Sequence, residues 1–306
     1  MDYKPLKVGV GQIACSVDTL EVNIAKHLEV IAEARGKGIE LLVFPELSIT
    51  GFPMNAQEVD RLACPIDRGY VAQLAQAARG ISVVAGFVEE GPAAQFFNTS
   101  VVLGDGKVLY RHRKVNLATY GRLHEGKLFA SGRYVETFEI DRSWRGALLI
   151  CADAWNPALV TLSALHGATL LLLAVNSASW AVSTEFSNPK GWDLACRFYG
   201  MIYGMPVIMA NRVGTEKDLE FFGGSRVVDP FGEIVARAND HEETLLTCEL
   251  DYGDVRKARL QLPTVRDSNV ALLQREIDRL QHYLGIPEEI RQGDPVDTQT
   301  SGQDPG

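Results

Sequence analysis

Three residues of this chain have the types and placing needed to cleave an amide bond, because a cysteine, a glutamate and a lysine each stand where an apolar run stops. Cys151 closes the run 144–150 and precedes Asn156 and Pro157, the cap and first-turn signals of a helix. A thiol at that seam lies at the carboxyl end of a strand beside fresh backbone N–H groups, where open α/β sheets bind ligands and where a thiolate or oxyanion is stabilised. Glu46 follows the apolar run 41–44, and Lys114 ends the run 108–113. A carboxylate at a buried strand end is costly unless paired. Together the carboxylate can take the thiol proton, the cysteine can attack a carbonyl, and the ammonium can hold the oxygen as it turns negative. Singly, each has a plainer reading: a small core cysteine for Cys151, and a buried salt bridge without chemistry for Glu46 and Lys114.

The surrounding motifs resemble those of the nitrilase, or carbon-nitrogen hydrolase, superfamily. Glu46 lies in a match to F-P-E-x-x-x-x-G, Lys114 in R-K-x-x-L and Cys151 in I-C-x-D-x-x-x-P, in that order. The similarity runs on through 125–132, Asn176 to Trp180, 211–214 and 222–232, and covers about residues 5 to 260. The loop 114–125 is also similar to K-x-x-L-P-x-Y-G-x-x-x-E in the glutaminase domains of glutamine-dependent NAD synthetases. Here Ala118 replaces the usual proline, Ala152 replaces the glutamate after the cysteine, and no Ser-Gly-Gly pyrophosphatase half follows.

The resemblance implies a mechanism. Cys151 is the nucleophile, Glu46 the general base, and Lys114 with the Ala152 backbone N–H the oxyanion site; Glu125 orients the lysine and the substrate. Tyr120, Asn176 and Trp180 are the expected pocket residues, with Trp155 and Phe52 as further wall candidates. His112 and His124 invite a Cys–His pair, but that reading leaves Glu46 and Lys114 unexplained, so both histidines are placed in loops or behind the site. No metal or cofactor is called for. The expected activity is hydrolysis of a small amide or carbamoyl compound through a cysteine thioester. A nitrilase is the alternative in the same fold, disfavoured because Cys151-Ala152-Asp153 departs from Cys-Trp-Glu, and a catalytically silent interaction protein is the alternative of another class.

Composition is consistent with this. A chain of 306 residues with 46% apolar residues can bury a large core. Its net charge of −9 and pI near 5.3 speak against nucleic-acid or anionic-membrane partners. The five cysteines show neither CxxC pairs nor a His cluster, so a reducing, cytoplasmic setting without zinc or disulfides is expected. No apolar signal segment opens the chain, and the longest apolar run, 168–175, is too short for a bilayer span.

The elements that must position these residues alternate between strand-like and helix-like. Apolar runs at 7–14, 41–44, 82–88, 99–103, 108–113, 135–140, 147–150, 170–175 and 207–211 read as strands, with further short ones to residue 249. An amphipathic helix is expected at 23–34, and further helices at 157–166 and 191–203. Turns at 104–106 and 230–232 read as hairpins, so the sheets should be mixed. The resemblance implies an α/β four-layer α-β-β-α sandwich for a domain spanning 1–263. A helical extension is expected over 264–288, with Val270, Leu273, Ile277, Leu280 and Leu284 on one face, and a disordered tail over 289–306. The resemblance further implies a homodimer or larger even oligomer paired through the helix after the nucleophile, where Leu159, Leu162 and Leu165 lie, with the carboxyl-terminal helix reaching over the partner.

Overall fold

The computed structural model describes residues 3–183 and 185–284. The chain divides into two compact units, Met1–Val265 and Arg266–Gly306. The first contains two six-stranded mixed sheets. One runs in the order β14 (Thr244–Leu250), β1 (Leu6–Gln12), β2 (Leu41–Val43), β3 (Ser82–Glu90), β4 (Phe96–Gly104), β5 (Lys107–Arg113). The other runs β13 (Ile234–Arg237), β12 (Arg226–Val228), β9 (Val207–Asn211), β8 (Leu170–Val175), β7 (Arg145–Ile150), β6 (Thr137–Glu139). Neighbours β1, β2 and β3 are parallel, as are β7, β8 and β9, and the flanking pairs are antiparallel.

The period-2 alternation of each strand builds the layers. In β8, Leu170, Leu172 and Ala174 point between the sheets to meet Val8, Val10 and Val43, whereas Leu171, Leu173 and Val175 point outward. That outer face is covered by α4 (Pro157–Leu165) and α5 (Asn188–Tyr203) through Val160, Trp192, Cys196 and Tyr199. On the first sheet Leu42, Phe44 and Val83 face Ile31 of α1 (Leu20–Gly36) and Leu74 of α3 (Gly69–Ala77). The result is the four-layer α-β-β-α sandwich.

Differences from the sequence expectation have local causes. The run 41–44 gives a strand of only three residues, since the chain leaves the sheet at Phe44 to present Glu46. The run 135–140 shortens to Thr137–Glu139 because Asp141 folds back, accepting the N–H of Ser143 and Trp144. Helix 23–34 extends to Leu20–Gly36. A 3-10 turn, Cys151–Trp155, separates β7 from α4, whose start is capped by Asn156 accepting the Ala158 N–H. Both expected hairpin turns join antiparallel strands, β4–β5 and β12–β13. The hairpin of β10 (Val213–Glu216) and β11 (Leu219–Phe222), and helices α2 (Ala56–Leu62) and α6 (Tyr252–Gln261), were not marked out by pattern. The second unit contains α7 (Val270–Leu284), and the expected tail 289–306 lies outside the described residues. Among the described residues no helix is long and apolar enough to cross a membrane.

Candidate active site

Glu46 is delivered by a turn folded against β3. Leu47 adopts a left-handed φ of 49°, and the turn passes so close to Gly86 that a Cβ there would lie 2.4 Å from the Leu47 nitrogen. Only glycine fits under this turn. The Ile49 N–H closes on Gly86 O at 2.9 Å, and Ser48 Oγ lies 3.0 Å from Nε2 of the buried His27. Lys114 follows the last residue of β5, with its N–H on Asn98 O at 2.9 Å. Glu125 enters from the 118–125 loop, where its Oε2 accepts the Ala118 N–H at 2.6 Å.

These three side chains, all buried, form one ionic cluster. Lys114 Nζ is 2.7 Å from Glu46 Oε1 and 2.7 Å from Glu125 Oε2. Asn98 Nδ2 bridges the carboxylates from above, donating to Glu46 Oε1 at 2.7 Å and Glu125 Oε1 at 3.0 Å. One cation between two carboxylates is held in a fixed position by charge-assisted bonds. Glu46 Oε2 is left buried without a partner. Burial pushes the Glu46 carboxyl above its ordinary value against the pull of Lys114, and Glu125 pushes the same way as burial. Lys114 is held well above the usual ammonium value: burial acts to lower it and is outweighed by Glu125 and Glu46.

Cys151 stands at the end of β7 with φ 43°, a left-handed conformation that is uncommon for a residue with a Cβ and often found where a side chain must be presented. Burial and then the charge of Glu46 push its thiol well above the ordinary value, while Lys114 and the Asn176 backbone N–H, directed at the sulfur, oppose the shift. Burial and the Glu46 charge thus favour the neutral thiol, and burial raises the carboxyl of Glu46 in turn, a combination suited to general-base activation. Asn176, at the end of β8, also directs Nδ2 to Glu46 O at 3.4 Å.

The structure thus brings Glu46, Lys114 and Glu125 into direct contact and sets Cys151 and Asn176 within their electrostatic reach. Ala152 is buried in the Cys151–Trp155 turn. Tyr120 is partly exposed, and burial and then the charge of Cys151 raise its hydroxyl. Trp180 lies at the surface, 59% exposed, with φ 63°. Its segment meets the Tyr120 loop, since the Arg122 N–H donates to Ala181 O at 3.2 Å. Trp155, the last residue of the Cys151–Trp155 turn, packs on Phe186 and Trp192, Phe52 is buried under the Glu125 loop, and His124 is exposed.

Two residues escaped the sequence reading. Asn98 is a buried amide in the apolar strand β4, and that mismatch of polarity with burial was its one signal. Asp153 was visible only as a motif position. Its Oδ1 accepts the N–H groups of Val115 at 3.0 Å and Asn116 at 2.7 Å, and its Oδ2 accepts Ile150 N–H at 3.1 Å and faces His112 Nε2 at 2.8 Å. Asp153 therefore ties the chain after Lys114 to the Cys151 turn. Among the described residues no group of three or more His, Cys, Asp or Glu is placed to hold a metal ion.

The carbon-nitrogen hydrolase profile matches residues 7–260. The chain belongs to the carbon-nitrogen hydrolase family. It is 30% identical over 271 residues to the glutamine-dependent NAD(+) synthetase of Thermotoga maritima, covering 86% of this chain and 45% of that protein. It is 30% identical to an (R)-stereoselective amidase of Pseudomonas sp., covering 87% of this chain and 93% of that one. Among solved structures, the glutamine-dependent NAD+ synthetase of Acinetobacter baumannii superposes with a TM-score of 0.73 at 26% identity, over 82% of this chain and 47% of that one. The chain spans about half the length of the synthetases it matches.

Proposed function

We propose that this carbon-nitrogen hydrolase is a cysteine-dependent amidase that cleaves the C–N bond of a small amide or carbamoyl compound. The observation that carries the reading is the buried Glu46–Lys114–Glu125 cluster, in which one carboxylate oxygen, Glu46 Oε2, remains unpartnered and the charges of Glu46 and Lys114 both act on the Cys151 thiol. Sγ of Cys151 attacks the carbonyl carbon as Glu46 takes the thiol proton. The oxygen of the tetrahedral adduct is held by Lys114 and the Ala152 N–H. Glu46 returns the proton to the nitrogen, ammonia or amine leaves, and a thioester remains. Water, deprotonated by Glu46, attacks the thioester; collapse releases the acid and Cys151 regains its proton.

Tyr120, Asn176 and Trp180 provide the pocket, and the enzyme acts as a homodimer or larger even oligomer in the cytoplasm. A second reading, in which the amide is glutamine and the ammonia serves another protein, is favoured by the 30% identity to the Thermotoga maritima synthetase and by the 114–125 loop. Ammonia release from amides, N-carbamoyl compounds, glutamine and nitriles, with Cys151→Ala as control, tests both. Turnover of an amide or carbamoyl compound that the control lacks is expected. Turnover of nitriles alone, or none above control, would overturn the amidase reading.

A further inference from the structure

β5 is the edge strand of its sheet, and together with the loop 130–136 it encloses a cavity of about 630 Å³. That is within the size range of small-molecule sites. Arg111 and Arg113 line it from β5 and Arg133 from the loop. The two strand arginines are ordered from behind by Glu89, which is buried and accepts Arg111 Nη1 at 3.0 Å, Arg113 Nε at 2.9 Å and Nη2 at 2.7 Å, and Thr99 Oγ1 at 2.7 Å. Arg113 is further fixed over the Phe97 ring, Cζ 3.6 Å from the centroid. One carboxylate positions two guanidiniums and neutralises the charge of one. Arg133 forms no ion pair among the described residues, and Glu136 is the acidic member of the lining. A locally cationic, preorganised cavity on a chain of net charge −9 matches an oxyanion, which guanidiniums bind in bidentate fashion.

The same cavity touches the site machinery on two sides. His112 lines it, and its Nε2 faces Asp153, which holds the nucleophile turn and the backbone after Lys114. Gly132 lines it, and its N–H donates to Lys114 O at 2.7 Å. A Cβ at Gly132 would fall 2.1 Å from Arg113 O, so loop and strand are in close backbone contact. We propose that the cavity binds a small molecule bearing a phosphate or carboxylate group between Arg111, Arg113 and Arg133, and that its occupancy alters the reactivity of Cys151 through His112 and Asp153. The second half rests on Cys151 being the reactive thiol of the proposed amidase.

The test uses the full chain and needs no turnover. The rate at which iodoacetamide alkylates Cys151 is followed by peptide mass spectrometry while inorganic phosphate or succinate is titrated at constant ionic strength, and binding is followed by calorimetry. One of the two anions should bind saturably and change the alkylation rate by about five-fold or more, as coupled sites do, and which one acts separates a phosphate ligand from a carboxylate one. Arg111→Ala and Arg133→Ala should keep the anion-free rate and lose both binding and response. His112→Asn should keep binding and lose the response. Absence of saturable binding to either anion, or binding undiminished in both arginine variants, would overturn the site. Binding with no change of alkylation in the wild type would overturn the coupling, and neither result touches the amide-hydrolysis assay.

Discussion

Glu46 commits one carboxylate oxygen to Lys114 at 2.7 Å and leaves the other, Oε2, buried without a partner. A carboxylate divided in this way can act on Cys151 as a base or merely as a fixed negative charge, and the two roles give opposite signs for Glu46→Gln. As a charge, Glu46 raises the thiol, so its removal would free thiolate beside Lys114 and speed alkylation. As a base it assists the attack, so its removal slows alkylation and lowers kcat. The base role predicts a fall in both, with kcat down by at least about 10²-fold. Faster alkylation of Glu46→Gln than of the wild type would reject it.

Lys114 separates two buried carboxylates, so its loss bears on both chemistry and stability. Lys114→Ala should lower kcat by about 10²-fold or more, as loss of an oxyanion donor does. It also leaves Glu46 and Glu125 facing each other unneutralised, at a cost of about 3–5 kcal/mol. The sign with pH follows from protonation. In the variant the folded Glu46 carboxyl, already raised by burial, loses the opposing pull of Lys114 and titrates further above its unfolded value, so stability is fully present below the ordinary carboxylate range and is lost as pH rises through the raised folded value. Thermal melting from pH 4 to 8 should show a difference from the wild type that widens with pH. A constant difference would contradict the arrangement.

Asn98 is the group that both carboxylates share, at 2.7 and 3.0 Å. Asn98→Ala removes two bonds to charged acceptors, each worth roughly 1.5–3 kcal/mol. If these bonds hold the carboxylates in the geometry required for attack, kcat should fall about 10-fold or more with KM little changed. Unaltered kcat in a folded variant would leave Asn98 with a packing role alone.

Much of this site was legible because its charged residues follow apolar strands, where burial makes an unpaired charge expensive. Glu46, Lys114 and Cys151 each end such a run, and Glu125 was reached through the resemblance of the 114–125 loop to the glutaminase domains of NAD synthetases. Asn98 and Asp153 were not, since an amide inside β4 and an acid after a cysteine acquire meaning only when β4, β5 and the Cys151 turn meet in space. The layers followed from alternation, as in Leu170 against Leu171. Short elements such as β10 and α2 carry too few residues for a period to show. α5 carries apolar residues on two faces: Trp192, Cys196 and Tyr199, with Ala195 and Tyr203, pack on the core, and Leu194, Phe198 and Met201 are exposed.

His27 links pH to the Glu46 turn. Its ring, wholly buried, lies 2.7 Å from Asn23 O and 3.0 Å from Ser48 Oγ, and burial lowers its pKa from 6.5 to about 4, with Lys26 adding to the shift. The unfolded chain takes up a proton near 6.5 that the folded chain refuses until about 4. Stability should therefore fall as pH drops through that window, by up to about 3 kcal/mol. His27→Gln, which keeps a hydrogen-bonding group and removes the titration, should flatten this part of the profile in chemical denaturation at pH 7, 6, 5 and 4. Parallel profiles for the two proteins would show that the acid sensitivity lies elsewhere.

The second face of α5 bears on assembly. Leu194, Phe198 and Met201 recur at helical spacing and are 61%, 48% and 47% exposed, whereas of the three α4 leucines expected to meet a partner only Leu162 is exposed and Leu159 is buried in the core. An apolar stripe of this kind on a surface helix marks an interaction face. If a second copy covers it about a two-fold axis, Phe198→Glu places two like charges in the contact and should convert the dimer to monomer at micromolar concentration, whereas Leu162→Glu should weaken it less, because it removes one leucine and leaves the α5 stripe intact. Sedimentation velocity of the wild type and both variants reads the outcome directly. A wild type that sediments as a monomer would reject self-association, and a Phe198→Glu variant of unchanged mass would place the face of association elsewhere on the molecule.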